Sequence, residues 1–203
     1  MTKRIEGALV ILNNSIIQNY LRLVINREDI LERLDKMDME AFVTIETPHM
    51  YKMIIVGGSG LVLLGTITRA TADIDTIEAS PEIRSLLEKY GANMQVSAFL
   101  PNFPYNYLDR VQKLPVGGRR IEFYTASLED IVIAKLFSDR PQDRQDLISD
   151  EVLRCIDWNM LHYLATDENE VKAVVLNERR NLDFLHDYKE YVGRYGPHEN
   201  ADA

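Results

Sequence analysis

Residues 52–79, KMIIVGGSGLVLLGTITRATADIDTIEA, decide the fold. The run 52–56 (KMIIV) is short, apolar throughout after Lys52 and ends on Gly57-Gly58, the pattern of a buried strand. Residues 59–65 (SGLVLLG) predict a helix that starts at Ser59 and ends at Gly65. Residues 74–79 alternate as a second strand, entered through Asp73-Ile74-Asp75.

Outward from this unit, 27–40 (REDILERLDKMDME) is amphipathic and predicts a helix, closed off by Pro48. Pro81 opens a further helix over 81–90 that stops at Gly91. Residues 92–118 carry Pro101, Pro104 and Pro115 without clear periodicity and read as an irregular excursion, a common place for function. A third strand is predicted over 119–125 (RRIEFYT), then a helix from Ser127 with Asp130 in the capping position. The rest, 142–154, 157–165 and about 168–191, reads as helix. The expected class is α/β (α+β), a mixed sheet flanked by helices with a helical C-terminal part. The expected division is an N-terminal helical segment at 1–50, a core at 51–137, helices at 138–195 and a tail at 196–203. Residues 1–26 are apolar and Asn-containing, with no assignable role.

Three features carry chemistry. A Gly57-Gly58-Ser59 turn at a helix start offers bare backbone N–H groups, a hydroxyl and the positive end of the helix dipole, which together form a seat for phosphate. Asp73 and Asp75 are two apart on a strand and so share a face, where two carboxylates repel unless a cation lies between them. Hard oxygen donors suit Mg²⁺, which completes its shell from water and substrate phosphates. Glu122, on the third predicted strand, could supply a third acid for metal-assisted phosphoryl chemistry. Each feature alone also has a plain structural explanation: a tight turn, a solvated strand edge, an exposed strand residue beside Arg119 and Arg120. Their order along a strand–helix–strand frame is what singles them out.

The spacing Gly57-Gly58-Ser59, thirteen residues, Asp73-Ile74-Asp75 resembles the signature of the nucleotidyltransferase superfamily related to DNA polymerase beta. The longer run IIVGGSGLVLLGTITRATADID is similar to bacterial nucleotidyltransferase-like proteins akin to the AbiEii-type (type IV) toxin of toxin–antitoxin systems. NFPYNYLDR (102–110), SLEDIVIAKL (127–136) and DRPQDRQDL (139–147) resemble segments of that branch. The resemblance implies that Gly57, Gly58 and Ser59 hold the phosphates of a nucleoside triphosphate, that Asp73, Asp75 and Glu122 bind Mg²⁺, and that Lys135 lies near the triphosphate. It further implies roles for Arg140, Asp143 and Asp146, which match a late motif whose usual lysine is here Gln142; Arg69 is another candidate. Surface ion pairing is the plainer account of the late motif. The implied reaction moves a nucleoside monophosphate to a hydroxyl on an RNA end or a protein, with a cognate antitoxin as a possible protein partner. The alternative is a catalytically weak or inactive member that acts by binding.

Composition bounds these readings. The 203 residues are 46% hydrophobic and 27% charged, which excludes wholesale disorder. Acidic residues outnumber basic ones 32 to 23, a net charge of -9, so general DNA binding is not expected. A single cysteine, Cys155, excludes an internal disulfide and a multi-cysteine zinc site, and its helical context suggests burial. The apolar stretch 53–64 is too short to span a bilayer, and Glu6, Asn13 and Asn14 argue against a signal peptide, so a cytoplasmic location is expected. Phe103, Tyr105 and Tyr107 read as packing residues rather than a base-stacking platform, and His162 and His186 as structural.

Overall fold

A computed structural model describes residues 25–167 and 178–197. Five strands form a mixed sheet of order β3-β2-β1-β5-β4: β1 (Tyr51–Ile55), β2 (Ile74–Glu78), β3 (Ala92–Asn93), β4 (Gln112–Gly117) and β5 (Ile121–Thr125). β1 and β5 are parallel neighbours at the centre; β2 runs antiparallel to β1 and β4 antiparallel to β5, while the short β3 is parallel to β2. Met53, Ile55, Ile121 and Phe123 on the central pair are fully buried, as expected of strands covered by helices.

Helix α1 (Arg27–Thr44) starts with a reciprocal cap: the Asn26 side chain accepts from Asp29 N–H at 2.9 Å and the Asp29 carboxylate from Asn26 N–H at 3.0 Å. Its buried face is Ile30, Leu34, Met37 and Ala41, one residue per turn. The same face carries Asp38, fully buried, whose carboxylate accepts from the backbone N–H of Arg119 (3.0 Å), Arg120 (2.7 Å) and Ile121 (2.7 Å). An acid inside a helix–sheet interface is thereby satisfied by the turn of the β4–β5 hairpin. That turn needs glycine at Gly117, where φ is +82° and a Cβ would lie 2.5 Å from Ile121 O.

After β1 come α2 (Gly57–Leu64), then β2, then a turn at Pro81–Ile83 leading into α3 (Arg84–Lys89). After β5 the chain forms α4 (Leu128–Leu136), α5 (Pro141–Leu147), α6 (Asp150–Cys155), α7 (Trp158–Thr166) and α8 (Glu178–Tyr195). Ser127 caps α4, accepting from Asp130 N–H at 3.1 Å and donating to its carboxylate at 2.6 Å, and Arg110 holds both Asp130 oxygens at 2.7 and 3.0 Å. The excursion is thus fastened to α4 by a buried ion pair. The tail is fastened by aromatics: Phe184 of α8 stacks on Phe137 with centroids 4.1 Å apart, and the Tyr191 hydroxyl donates to Leu147 O at 2.7 Å. One apolar cluster runs from Ile25 through the sheet to Tyr191.

The α/β class with a helical C-terminal part is as expected, and several local expectations change. The excursion contains β3 and β4, both hidden by their dependence on partners: β3 is two residues long, and β4 holds Pro115 and Gly117 at a sheet edge where proline is tolerated. The expected helix 142–154 breaks after Leu147, because Ser149 folds back to donate to Asp146 O at 2.9 Å and starts α6 as its cap. Cys155 is exposed, not buried: it ends α6 on the outward side. Phe103 and Tyr107 are buried, as packing residues should be, whereas Tyr105 is 69% exposed. His162 contacts the Tyr188 hydroxyl at 2.9 Å. The expectations for 1–24 and for 168–177 lie outside the described residues. No helix among the described residues is long and apolar enough to cross a membrane.

Candidate functional site

The end of β1 leads directly into α2, so the helix N-terminus opens at the C-terminal edge of the sheet, where α/β folds place their ligands. The first intrahelical bond is Gly60 N–H to Val56 O at 2.9 Å, so the N–H groups of Gly57, Gly58 and Ser59 precede the helical ladder. Gly57 has φ of +62°, and a Cβ there would lie 2.8 Å from Asp75 Oδ2. A Cβ on Gly58 would lie 3.2 Å from Arg69 Nη2. Both glycines therefore let charged side chains approach the turn.

Ser59 serves a different purpose from the one expected of it. It is fully buried, donates to Val56 O at 2.9 Å and accepts from Asp75 N–H at 3.0 Å. Its hydroxyl clamps the helix start to β2 and fixes Asp75 against the turn, and Gly57 and Gly58 line the cleft.

Asp73 and Asp75 stand beside this turn, and no cationic side chain among the described residues comes within ion-pair distance of either. Asn93 Nδ2 on β3 donates to Asp73 at 2.9 Å and to Asp75 at 3.3 Å. Burial, then the neighbouring Asp73 carboxylate, push Asp75 up to about 6, against the Asn93 hydrogen bond and the longer-range charges of Arg140 and Lys135. Two close carboxylates held by a neutral amide are a donor set that fits a hard divalent cation.

A second acid pair is in the reverse condition. Lys135 of α4 is buried between Asp143 and Asp146, bonded to the first by a short hydrogen bond and to the second at 2.9 Å. Asp146 also takes a bidentate pair from Arg69 at 2.8 and 2.7 Å and a hydrogen bond from Gln142 at 3.2 Å. Burial raises its pKa, but the Arg69 and Lys135 partners outweigh that and hold it below the usual carboxylate range. The Ser138 hydroxyl donates to Asp143 at 2.7 Å, and Arg140, largely exposed, lies 3.9 Å from it. Gln142 occupies the motif's lysine position without adding charge.

These groups frame a cleft of about 360 Å³ lined by Gly57, Gly58, Asp73, Asp75, Lys135 and Arg140 among others, within the size range of small-molecule sites. Its apolar wall is Val96, Phe103, Ile131 and Ala134. A wider groove between α5 and α8 shares Lys135 with it.

Glu122 is not brought to this cleft. It pairs across the sheet with Lys52, near the start of β1, whereas the site lies beyond Ile55, paired with Thr125. Three residues of strand amount to about 10 Å. Glu122 instead bonds Lys113 at 2.6 Å and the Tyr124 hydroxyl at 3.0 Å, which hold its carboxyl below the ordinary range. Among the described residues no group of three or more His, Cys, Asp or Glu is placed to share a metal ion. The site residues that sequence reasoning missed are Asn93, set beside Asp75 by strand pairing, and Asn102, a cleft residue tied to Arg180 at 2.6 Å.

A strand–turn–helix with an acid pair at its mouth, on a mixed sheet with helical cover, defines a nucleotidyltransferase-like protein. A family model described as "Nucleotidyltransferase of unknown function (DUF6036)" matches residues 32–196, and the chain belongs to that family. No curated protein and no solved structure matches it.

Proposed function

We propose that the protein is a Mg²⁺-dependent nucleotidyltransferase that moves a nucleoside monophosphate from a nucleoside triphosphate to a hydroxyl acceptor. The observation that carries this reading is the Asp73–Asp75 pair, without an ion-pair partner among the described residues, lining one cleft with Gly57 and Gly58, with Asp75 Oδ2 close against Gly57. Asp73 and Asp75 would hold the cation, which supplies charge stabilisation to phosphate oxygens when bound. The N–H groups of Gly57 and Gly58 seat phosphate oxygens with the α2 dipole behind them. Arg140, on the exposed rim of the cleft and only loosely paired with Asp143 at 3.9 Å, would turn to the pyrophosphate side. The acceptor oxygen attacks the α-phosphorus as the bond to the β-phosphate oxygen breaks, so that pyrophosphate leaves and the hydroxyl proton passes to solvent or a basic group. The acceptor class we favour is an RNA end or a protein hydroxyl.

The position of Glu122 supports a second reading. With no third acid at the pair among the described residues, the protein acts by binding nucleotide or a partner protein, as half of a toxin–antitoxin pair would, without turnover. The test is incubation with Mg²⁺, each α-labelled nucleoside triphosphate and bulk RNA or lysate protein, beside Asp73→Ala and Asp75→Ala. Label transfer by wild type alone supports the enzyme. Nucleotide binding without transfer or pyrophosphate release by wild type favours the binding reading, and equal transfer by the variants refutes the site.

A further inference from the structure

Asn93 is a half-buried residue of a two-residue strand, held opposite Asp75 by the parallel β2–β3 register. Its amide is oriented from both ends. Oδ1 accepts from Gln95 N–H at 2.9 Å, and Nδ2 donates to Asp73 Oδ2 at 2.9 Å and Asp75 Oδ1 at 3.3 Å. The opposite flip is impossible, since an N–H group cannot accept and ionised carboxylates cannot donate. One oxygen of each acid is therefore committed to the amide. The oxygens left are Asp73 Oδ1 and Asp75 Oδ2, and the latter is the atom that lies 2.8 Å from where a Gly57 Cβ would be.

We propose that Asn93 is a positioning residue for the divalent cation: its amide splints the two carboxylates so that one oxygen of each stays directed to the cation and the phosphate turn. This rests on the reading of Asp73 and Asp75 as the cation's ligands. A neutral donor suits the task, because it restrains two like charges without cancelling them. An ammonium in its place would do what Lys135 does to Asp143 and Asp146, filling the position of the cation. Partners that orient metal-ligating carboxylates from behind typically account for 10- to 100-fold in metal affinity.

The test uses the full chain, stripped of metal with a chelator, and follows free Mn²⁺ by electron paramagnetic resonance during titration. Wild type, Asn93→Ala, Asn93→Leu and Asp73→Ala are compared, and each is melted without metal. Wild type should bind Mn²⁺ and Asp73→Ala should not. Both Asn93 variants should bind at least about 10-fold more weakly while melting within a few degrees of wild type. The leucine variant, close to asparagine in size, guards against loss of packing in the alanine one. Mn²⁺ affinity within twofold of wild type in a folded Asn93 variant, with binding lost in Asp73→Ala, would overturn the role of Asn93 and leave the acid pair standing. Absence of Mn²⁺ binding by wild type would remove the cation site itself, and the inference with it.

Discussion

Two acid pairs meet at one cleft, Asp73 and Asp75 lining it directly and the other pair lining it through Asp143 and Lys135, and they differ in what neutralises them. Asp143 and Asp146 share Lys135, and Asp146 adds a bidentate Arg69. Asp73 and Asp75 share the neutral amide of Asn93 and, among the described residues, have no ion-pair partner, Arg140 and Lys135 acting on Asp75 only at longer range. The first pair is complete within the chain and ties α4 and α5 to the loop carrying Arg69. The second leaves an unmet demand for positive charge beside a helix N-terminus that attracts anions. A cation bound by carboxylates and phosphates together meets both demands. Residue type is the same in the two pairs, and the partners distinguish the framework pair from the proposed site.

The largest expected effect falls on transfer. Asp73→Ala or Asp75→Ala should reduce labelling by at least about 100-fold, the scale of removing an essential electrostatic stabiliser, while the far-ultraviolet spectrum stays native. Loss of helix signal in both would mean that the pair is framework after all.

The framework pair should instead fail in stability. Lys135→Met leaves two carboxylates at a buried site without their shared ammonium, which should cost about 3 kcal/mol, read by urea unfolding at pH 7.5. A cost under about 1 kcal/mol would show that Asp143 and Asp146 reach solvent more freely than their burial implies.

Proton linkage distinguishes the pairs more finely. Asp75 titrates at about 6 in the folded chain and near 3.8 when free, so the folded state binds the extra proton between these values. Its contribution to stability is therefore most favourable below pH 4 and declines as pH rises to 6 and above, by on the order of 3 kcal/mol for a two-unit shift. Asp146, held low, contributes in the opposite sense: its stabilisation is present above the free carboxylate value and is lost as pH falls through its lower folded value. Urea unfolding in chelator should show Asp75→Asn removing the decline between pH 4 and 6. A profile unchanged in that variant would assign the decline to another group.

The smallest effect is expected at Glu122. Glu122→Gln loses a surface contact to Lys113 and should change transfer by no more than about twofold, as exposed ion pairs contribute little. A loss comparable to that in Asp75→Ala would bring a third acid back to the mechanism.

The strand–turn–helix, the acid pair and the helical C-terminal cover were all legible in the sequence because each is local: an apolar run ending in glycines, an i, i+2 spacing, a 3.6-residue period. What escaped depends on strand pairing or long-range partners. Asn93 looks like any residue of the irregular stretch until β3 pairs with β2, and Arg69 meets Asp146 across 77 residues. Glu122 was legible as a strand residue, but its height along the sheet depends on the β1–β5 register, which places it at the wrong end. Ser59 was placed correctly in the turn. Its hydroxyl direction follows from the packing of β2 against α2, which spacing does not convey.

One acid pair, on the proposed reading, awaits a cation, and the other already has its own. The most direct measurement is the unfolding free energy of Asp75→Asn and Asp146→Asn beside wild type, at pH 7.5 in chelator. Opposite signs are expected: Asp75→Asn more stable than wild type because a partly desolvated charge and its repulsion by Asp73 are removed, and Asp146→Asn less stable because Arg69 and Lys135 lose their counter-charge. The same sign in both, whichever it is, would contradict the account.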